Sequence, residues 1–151
     1  MKKINYTCTI EVEAEPSEVF AAITQVHAWW GAGIEGKSEK IGDSFVYKHK
    51  EFHVSRQTVS ELIPNKKLVW DVSDSEINFV KDKSEWENTK IIFEVEKAGN
   101  RTKVTLTHAG LTPKLECFDG CSGGWNQYFG QSLKKLIATG KGSPDPKSFS
   151  K

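Results

Sequence analysis

The sequence has little sulfur and little charge imbalance. Of its 151 residues one is Met and three are Cys (Cys8, Cys117, Cys121). An odd, small number of cysteines is not the disulfide framework of a secreted scaffold. Lys and Arg number 21 against 20 Asp and Glu, a net charge of +1. Without a basic block there is no electrostatic case for a nucleic-acid partner or for an anionic membrane surface. No apolar run approaches the ~18–20 residues that span a bilayer, so no membrane insertion is expected. The N-terminal Met1 to Thr7 is charged and then alternates, without the apolar stretch of a signal peptide. The expected location is the cytoplasm. Also missing are a Walker loop, G-x-G-x-x-G, G-x-S-x-G and H-E-x-x-H, so nucleotide binding, serine hydrolysis and metalloproteolysis have no support, and no cofactor is expected.

Aromatic residues are abundant instead: five Trp, eight Phe and three Tyr in a chain that is 37% hydrophobic. That apolar content excludes disorder for most of the chain. The length suits one domain, which can bury roughly 68–70% of its unfolded surface.

Period-2 alternation from Ile4 through Tyr6, Cys8 and Ile10 to Val12 predicts a half-buried antiparallel strand. Pro16 opens a short helix with Val19, Phe20 and Ile23 on one face. A second short aromatic stretch follows at His27 to Trp30, before Gly31, Gly33 and Gly36 break the chain. Strand patterns then recur. Phe45, Tyr47 and His49 share one face. Phe52 to Ile63 changes parity midway, as one strand with a bulge does. Pro64-Asn65-Lys66 is a turn. Leu68, Trp70 and Val72 line the next strand, and Ser73 to Ser84 reads as a weak strand or a loop. Ile91, Phe93 and Val95 lead to a hairpin turn at Ala98-Gly99-Asn100. Val104, Leu106 and His108 share a face opposite Thr105 and Thr107. The period then lengthens. Trp125, Tyr128, Phe129, Leu133, Leu136 and Ile137 form a helical stripe, with Asp119 or Ser122 as its cap and Gly140 at its end.

This order is an α+β fold: a curved antiparallel sheet of about six or seven strands around a long C-terminal helix, with one or two short helices after the first strand. The domain is expected over 1–140, with 141–151 as a flexible tail. A straight helix does not fill a strongly bent sheet, so a ligand cavity is expected between them.

Three stretches resemble the START-like (SRPBCC) superfamily of helix-grip domains and, within it, the heat-shock-protein ATPase activator homologue family. They are Ile10 to Thr24 with Trp29-Trp30-Gly31, Val59 to Trp70, and Gly123-Gly124-Trp125 with Leu133-Lys134-Lys135-Leu136 and Thr139-Gly140. The similarity covers about residues 4–140. It implies a single helix-grip domain, and it brings the superfamily's range of roles: lipid, polyketide or hormone binding, cyclase chemistry, or chaperone regulation. In the eukaryotic chaperone activators this domain works beside a separate N-terminal domain, which these 151 residues do not contain.

The expected ligand-binding set is Trp30, Phe45, Tyr47, His49, Trp70, Phe93, His108, Trp125 and Tyr128, on inward faces or at the cavity mouth. Each aromatic either packs the core or walls the cavity. His49 and His108 end inward parity sets, where a histidine meets a ligand, transfers a proton or reaches solvent. His49 and His53 have H-x3-H spacing, but on one strand residues four apart lie ~13 Å from each other, so no metal site is expected. Glu61 is a buried acid if it faces inward and a solvated charge if the bulge turns it out. Cys117 and Cys121 lie near the start of the last helix, where a thiol is either activated or ordinary.

The leading expectation is a non-catalytic binding protein for a small apolar or amphipathic molecule, with no catalytic residue assigned. The alternatives are a cyclase- or dehydratase-like enzyme using His49, His108 or Glu61, and a chaperone ATPase-regulating module. A chaperone or a second copy of the chain are the protein partners left open.

Overall fold

The alternation that opens the sequence forms β1 (Tyr6–Val12) in the computed structural model, which describes residues 6–30, 34–36, 38–49, 53–77, 89–111, 123 and 125–142. Then follow α1 (Pro16–Thr24), α2 (Val26–Trp29), β2 (Glu35–Gly36), β3 (Ser44–His49), β4 (His53–Ile63), β5 (Lys67–Ile77), β6 (Lys90–Ala98) and β7 (Arg101–Ala109). The C-terminal helix has a π-helical segment, Tyr128–Leu133, that continues as α3 (Lys134–Thr139). Cys117, Cys121 and the expected caps Asp119 and Ser122 lie outside the described residues.

All seven strands form one antiparallel sheet in the order β1-β7-β6-β5-β4-β3-β2. Seven strands agree with the expected six or seven. One of them is Glu35–Gly36, where the sequence shows only chain breaks, and the Ser73 to Ser84 stretch is strand as far as Ile77, within β5, its remaining residues lying outside the described ones. Gly36 makes that short pairing possible. Its φ is +116°, and a Cβ there would lie 2.2 Å from the Ser44 carbonyl oxygen.

The alternation sorts the two faces. Phe45, Tyr47, Val59, Leu68, Trp70, Val72, Ile91, Phe93, Val104 and Leu106 are buried under the helices. The outer face carries threonine pairs across β1 and β7, Thr7 with Thr107 and Thr9 with Thr105, and the Lys90–Asp71 ion pair at 2.6 Å. Two register shifts interrupt β4–β5. Opposite the Arg56–Gln57 step, β5 carries the extra residue Ser73; in β4, Ser60 is extra between Val59 and Glu61. Such bulges bend the strands and re-aim side chains. The second one settles Glu61. It is exposed and pairs with Lys67 at 3.6 Å, while Leu62 takes the inward position against the core.

α1 begins at Pro16, with the Glu15 N–H donating to Glu18 Oε1 at 2.9 Å, and buries Val19, Phe20, Ala22 and Ile23. The C-terminal stripe buries Trp125, Phe129, Leu133 and Leu136 as expected. Its middle is a π-turn rather than a regular α-helix, which also buries Ser132. The Ser132 hydroxyl donates to the Trp29 carbonyl at 2.7 Å and so ties the helix to α2. Gly140 ends the helix at φ +86° with its N–H on the Leu136 carbonyl. Among the described residues no helix is long and apolar enough to cross a membrane.

Candidate functional site

Trp29 and Trp30 enter the space between sheet and helix from the end of α2. The Trp29 indole N–H donates to the Ile23 carbonyl at 3.0 Å, which fixes its ring. Trp30 is the centre of the cluster. It stacks on Tyr47 (centroids 4.4 Å apart, planes at 16°) and on Trp70 (5.8 Å, 6°). Phe45 meets both tryptophans edge-on, at 5.9 and 4.9 Å. Phe93 meets Trp70 at 4.7 Å and Trp29 at 6.1 Å. From the C-terminal helix Trp125 tilts onto Trp30 at 5.0 Å and Tyr128 meets Tyr47 at 6.5 Å. Stacked and edge-to-face pairs are each worth about 0.5–1.5 kcal/mol beyond the area they bury.

Seven of the nine residues expected at the site therefore touch in one cluster: Trp30, Phe45, Tyr47, Trp70, Phe93, Trp125 and Tyr128. They pack on each other closely, and Trp70 and Phe93 are fully buried. Trp70 also has a polar tie, its indole N–H donating to Ser38 Oγ at 2.8 Å.

His108 is beside the cluster on β7 and is fully buried. The Trp125 indole N–H donates to its Nδ1 at 3.1 Å, and its Nε2 lies 2.9 Å from Thr89 Oγ1. An indole only donates, so Nδ1 is the acceptor and Nε2 carries the proton toward Thr89. Both ring nitrogens thus have partners inside the protein. Gly110 brings Thr89 within reach, since at φ +106° a Cβ would meet Thr89 Cγ2 at 2.6 Å. With Glu61 on the outer face, two of the three proton-transfer candidates are accounted for by internal or surface partners.

His49 is in β3, and its side chain lies outside the described residues. The register corrects the spacing argument about it. His49 and His53 are not four apart along one strand, because the chain reverses between them and they are direct cross-strand partners of β3 and β4. Among the described residues no group of three His, Cys, Asp or Glu side chains could hold a metal.

The sequence reading missed Gln57. Its side chain is fully buried on the inner face, between Phe45 of β3 and Val72 of β5 in the register. Neither Oε1 nor Nε2 has a hydrogen-bond partner among the described residues. The signal was present as an inward parity set, Ser55, Gln57, Val59, but so polar a set reads as an outer face.

Cys8 is a half-buried free thiol packed against the core. Tyr6 beside it is buried and donates to Asn126 Oδ1 at 2.5 Å. Burial, then the hydrogen bond and charge interaction with Cys8, push the Tyr6 hydroxyl above its usual range. On the outer face an open hollow of about 390 Å³ is bordered by Lys66, Lys67, Lys103, Glu94 and Glu96. Its mixed charges favour no ligand of one sign.

A seven-stranded antiparallel sheet with its inner face held against a C-terminal helix defines a helix-grip domain of the START-like (SRPBCC) class. Within that class, the chain belongs to the "Activator of Hsp90 ATPase homolog 1-like protein" family, whose family model matches residues 13–138. No curated protein matches the sequence. Among solved structures, the Aha1 dimer of Colwellia psychrerythraea is similar at 25% identity and a TM-score of 0.74, over 92% of this chain and 99% of that one. A Staphylococcus saprophyticus protein is similar at 15% identity and TM-score 0.69, over 95% and 99%. DynU16, a protein in the dynemicin biosynthetic locus, shares 17% identity at TM-score 0.67, with 91% of this chain covering 48% of that one. The last two likenesses bear on the fold alone.

Proposed function

We propose that the protein binds a small apolar or amphipathic molecule between the sheet and the C-terminal helix, against the rings of Trp30, Tyr47, Trp70 and Trp125. The observation that carries this reading is the stack centred on Trp30. A core needs only apolar volume, which aliphatic side chains supply with less demand on geometry. Here nearly parallel rings from the end of α2, β3 and β5 are held in one orientation against each other, while the indole N–H groups of Trp70 and Trp125 are tied to Ser38 and His108. Flat, oriented aromatic surface with a few polar groups beside it is what small-molecule sites use. The proposed ligand set remains Trp30, Phe45, Tyr47, His49, Trp70, Phe93, His108, Trp125 and Tyr128. The proposed location is the cytoplasm.

Native mass spectrometry of protein purified from its own host tests this. The expected result is a species heavier than 16.9 kDa that returns to that mass on denaturation and releases a small molecule. A bare 16.9 kDa mass, with tryptophan fluorescence unmoved by a panel of aromatic compounds, overturns it.

A second reading has its own support. The family is named for activators of the Hsp90 ATPase, and the similar Colwellia protein is an Aha1 that forms a dimer. A chaperone-regulating role for this chain, alone or as a homodimer, predicts that it raises the ATPase rate of an Hsp90 from the same host. An unchanged rate at saturating protein would count against that role.

A further inference from the structure

Every described residue of the buried polar set other than Gln57 is neutral and small or is tied to a named partner. Ser38 accepts from Trp70, Thr102 donates to the Ala14 carbonyl, Ser132 donates to the Trp29 carbonyl, and Thr89 and His108 hold each other. Gln57 is different. It is fully buried, and both amide atoms lack a hydrogen-bond partner among the described residues. It stands where β5 bulges at Ser73, and bulges cluster beside functional sites because they re-aim side chains. In the register it is next to Phe45, which itself packs against Trp30 and Trp70. An orphaned buried amide in a native fold calls for an occupant that completes it.

We propose that Gln57 is the polar anchor of the binding site, and that the occupant carries a paired donor and acceptor on an aromatic or apolar body. This inference rests on the binding function proposed above. A primary carboxamide, a lactam or a protonated carboxylic acid meets the requirement. Each offers one N–H or O–H and one C=O along one edge, which matches Oε1 and Nε2 of the glutamine in a two-bond pair. An ionised carboxylate only accepts, and would leave Oε1 unmatched. An ammonium only donates, and would leave Nε2 unmatched. No Lys, Arg, Asp or Glu is buried among the described residues, so a charged occupant would also lack a counter-ion. The recognised class is therefore neutral and amide-like.

Benzamide and toluene share a ring and differ by the carboxamide, and they are the test probes. Titrate each into ¹⁵N-labelled protein and follow the indole N–H signals by NMR. The expected result is that benzamide binds about tenfold more tightly than toluene, and that it shifts the Gln57 side-chain NH₂ signals downfield. In Gln57→Met the benzamide preference disappears while toluene affinity holds. The NH₂ shift in the unaltered protein answers the question even if that variant fails to fold. Equal affinities for the two probes, or a preference that survives in Gln57→Met, overturns the anchor and leaves the binding function standing. No response of any indole to either probe overturns both.

Discussion

At the β1–β7 end of the sheet, buried polar side chains are matched to protein partners. His108 lies between Trp125 and Thr89, Thr102 reaches the Ala14 carbonyl and Tyr6 reaches Asn126, over a register with no shift across seven residue pairs. At the β3–β5 end the register shifts twice, the aromatic stack stands over the strands, and the buried Gln57 amide is unmatched among the described residues. The two ends belong to one sheet, and both contribute side chains to the same apolar core. The difference is whether the chain supplies its own hydrogen bonds. An end that does so is built for stability. An end that leaves a polar group unmet inside an aromatic wall is what the proposed binding function expects.

The largest test removes a ring of the β3–β5 end that four other rings touch. Trp70 is fully buried, touches Trp29, Trp30, Phe45 and Phe93, and ties Ser38. Trp70→Ala is expected to destabilise by about 3–5 kcal/mol, read as a lower midpoint in urea unfolding. A loss below about 1.5 kcal/mol would mean that the stack is loosely packed. His108→Leu probes the matched end alone. It strips partners from the Trp125 indole and the Thr89 hydroxyl, and is expected to lose about 2–3 kcal/mol. If it is nearly neutral, the β1–β7 end is not the stability-bearing one.

Much of this was legible in the sequence, for a physical reason. Period 2 in β1, β3, β6 and β7 is enforced by one buried face, so parity alone names Phe45, Tyr47, Phe93 and His108 as inward. The stripe from Trp125 to Ile137 named the helix that covers them. What escaped depends on the chain folding back or slipping. The His49–His53 pairing needs a hairpin whose turn has no strong signature. β2 exists only because Gly36 lets two residues lie flat on β3. The π-turn at Tyr128–Leu133 keeps nearly the same buried positions as an α-helix, so the hydrophobic pattern does not reveal it. Gln57 was hidden because its neighbours Ser55 and Thr58 are polar too, and parity arguments assume that the inner face is the apolar one.

A smaller effect comes from Tyr6 at the matched end. Its hydroxyl is held neutral in the fold, so its folded pKa lies above the ordinary 10.0 of an unfolded chain. The stabilising contribution is complete below pH 10 and is lost as pH rises toward the folded value. Between pH 10 and 11 the protein should lose stability at up to about 1.4 kcal/mol per pH unit from this one group. Tyr6→Phe should flatten that slope while costing the hydroxyl's hydrogen bonds to Asn126 and Cys8 at neutral pH. An unchanged alkaline slope in the variant would assign it to other groups.

The smallest effect is the one that bears most on the comparison. Gln57→Met keeps the length of the side chain and removes the two unmet polar atoms. A residue serving the fold would be missed, as His108 is expected to be. A residue held for a ligand should not be, because deleting a buried group with no partner removes a desolvation penalty of about 1–3 kcal/mol and forfeits nothing inside the protein. Gln57→Met is therefore expected to leave unfolding free energy unchanged or to raise it by about 1 kcal/mol in ligand-free protein. A loss of more than about 1 kcal/mol would show that Gln57 has a structural role, and the contrast between the two ends of the sheet would collapse. A gain would show a chain that keeps a destabilising amide among its aromatic rings, which is the signature of a site whose polar partner comes from outside.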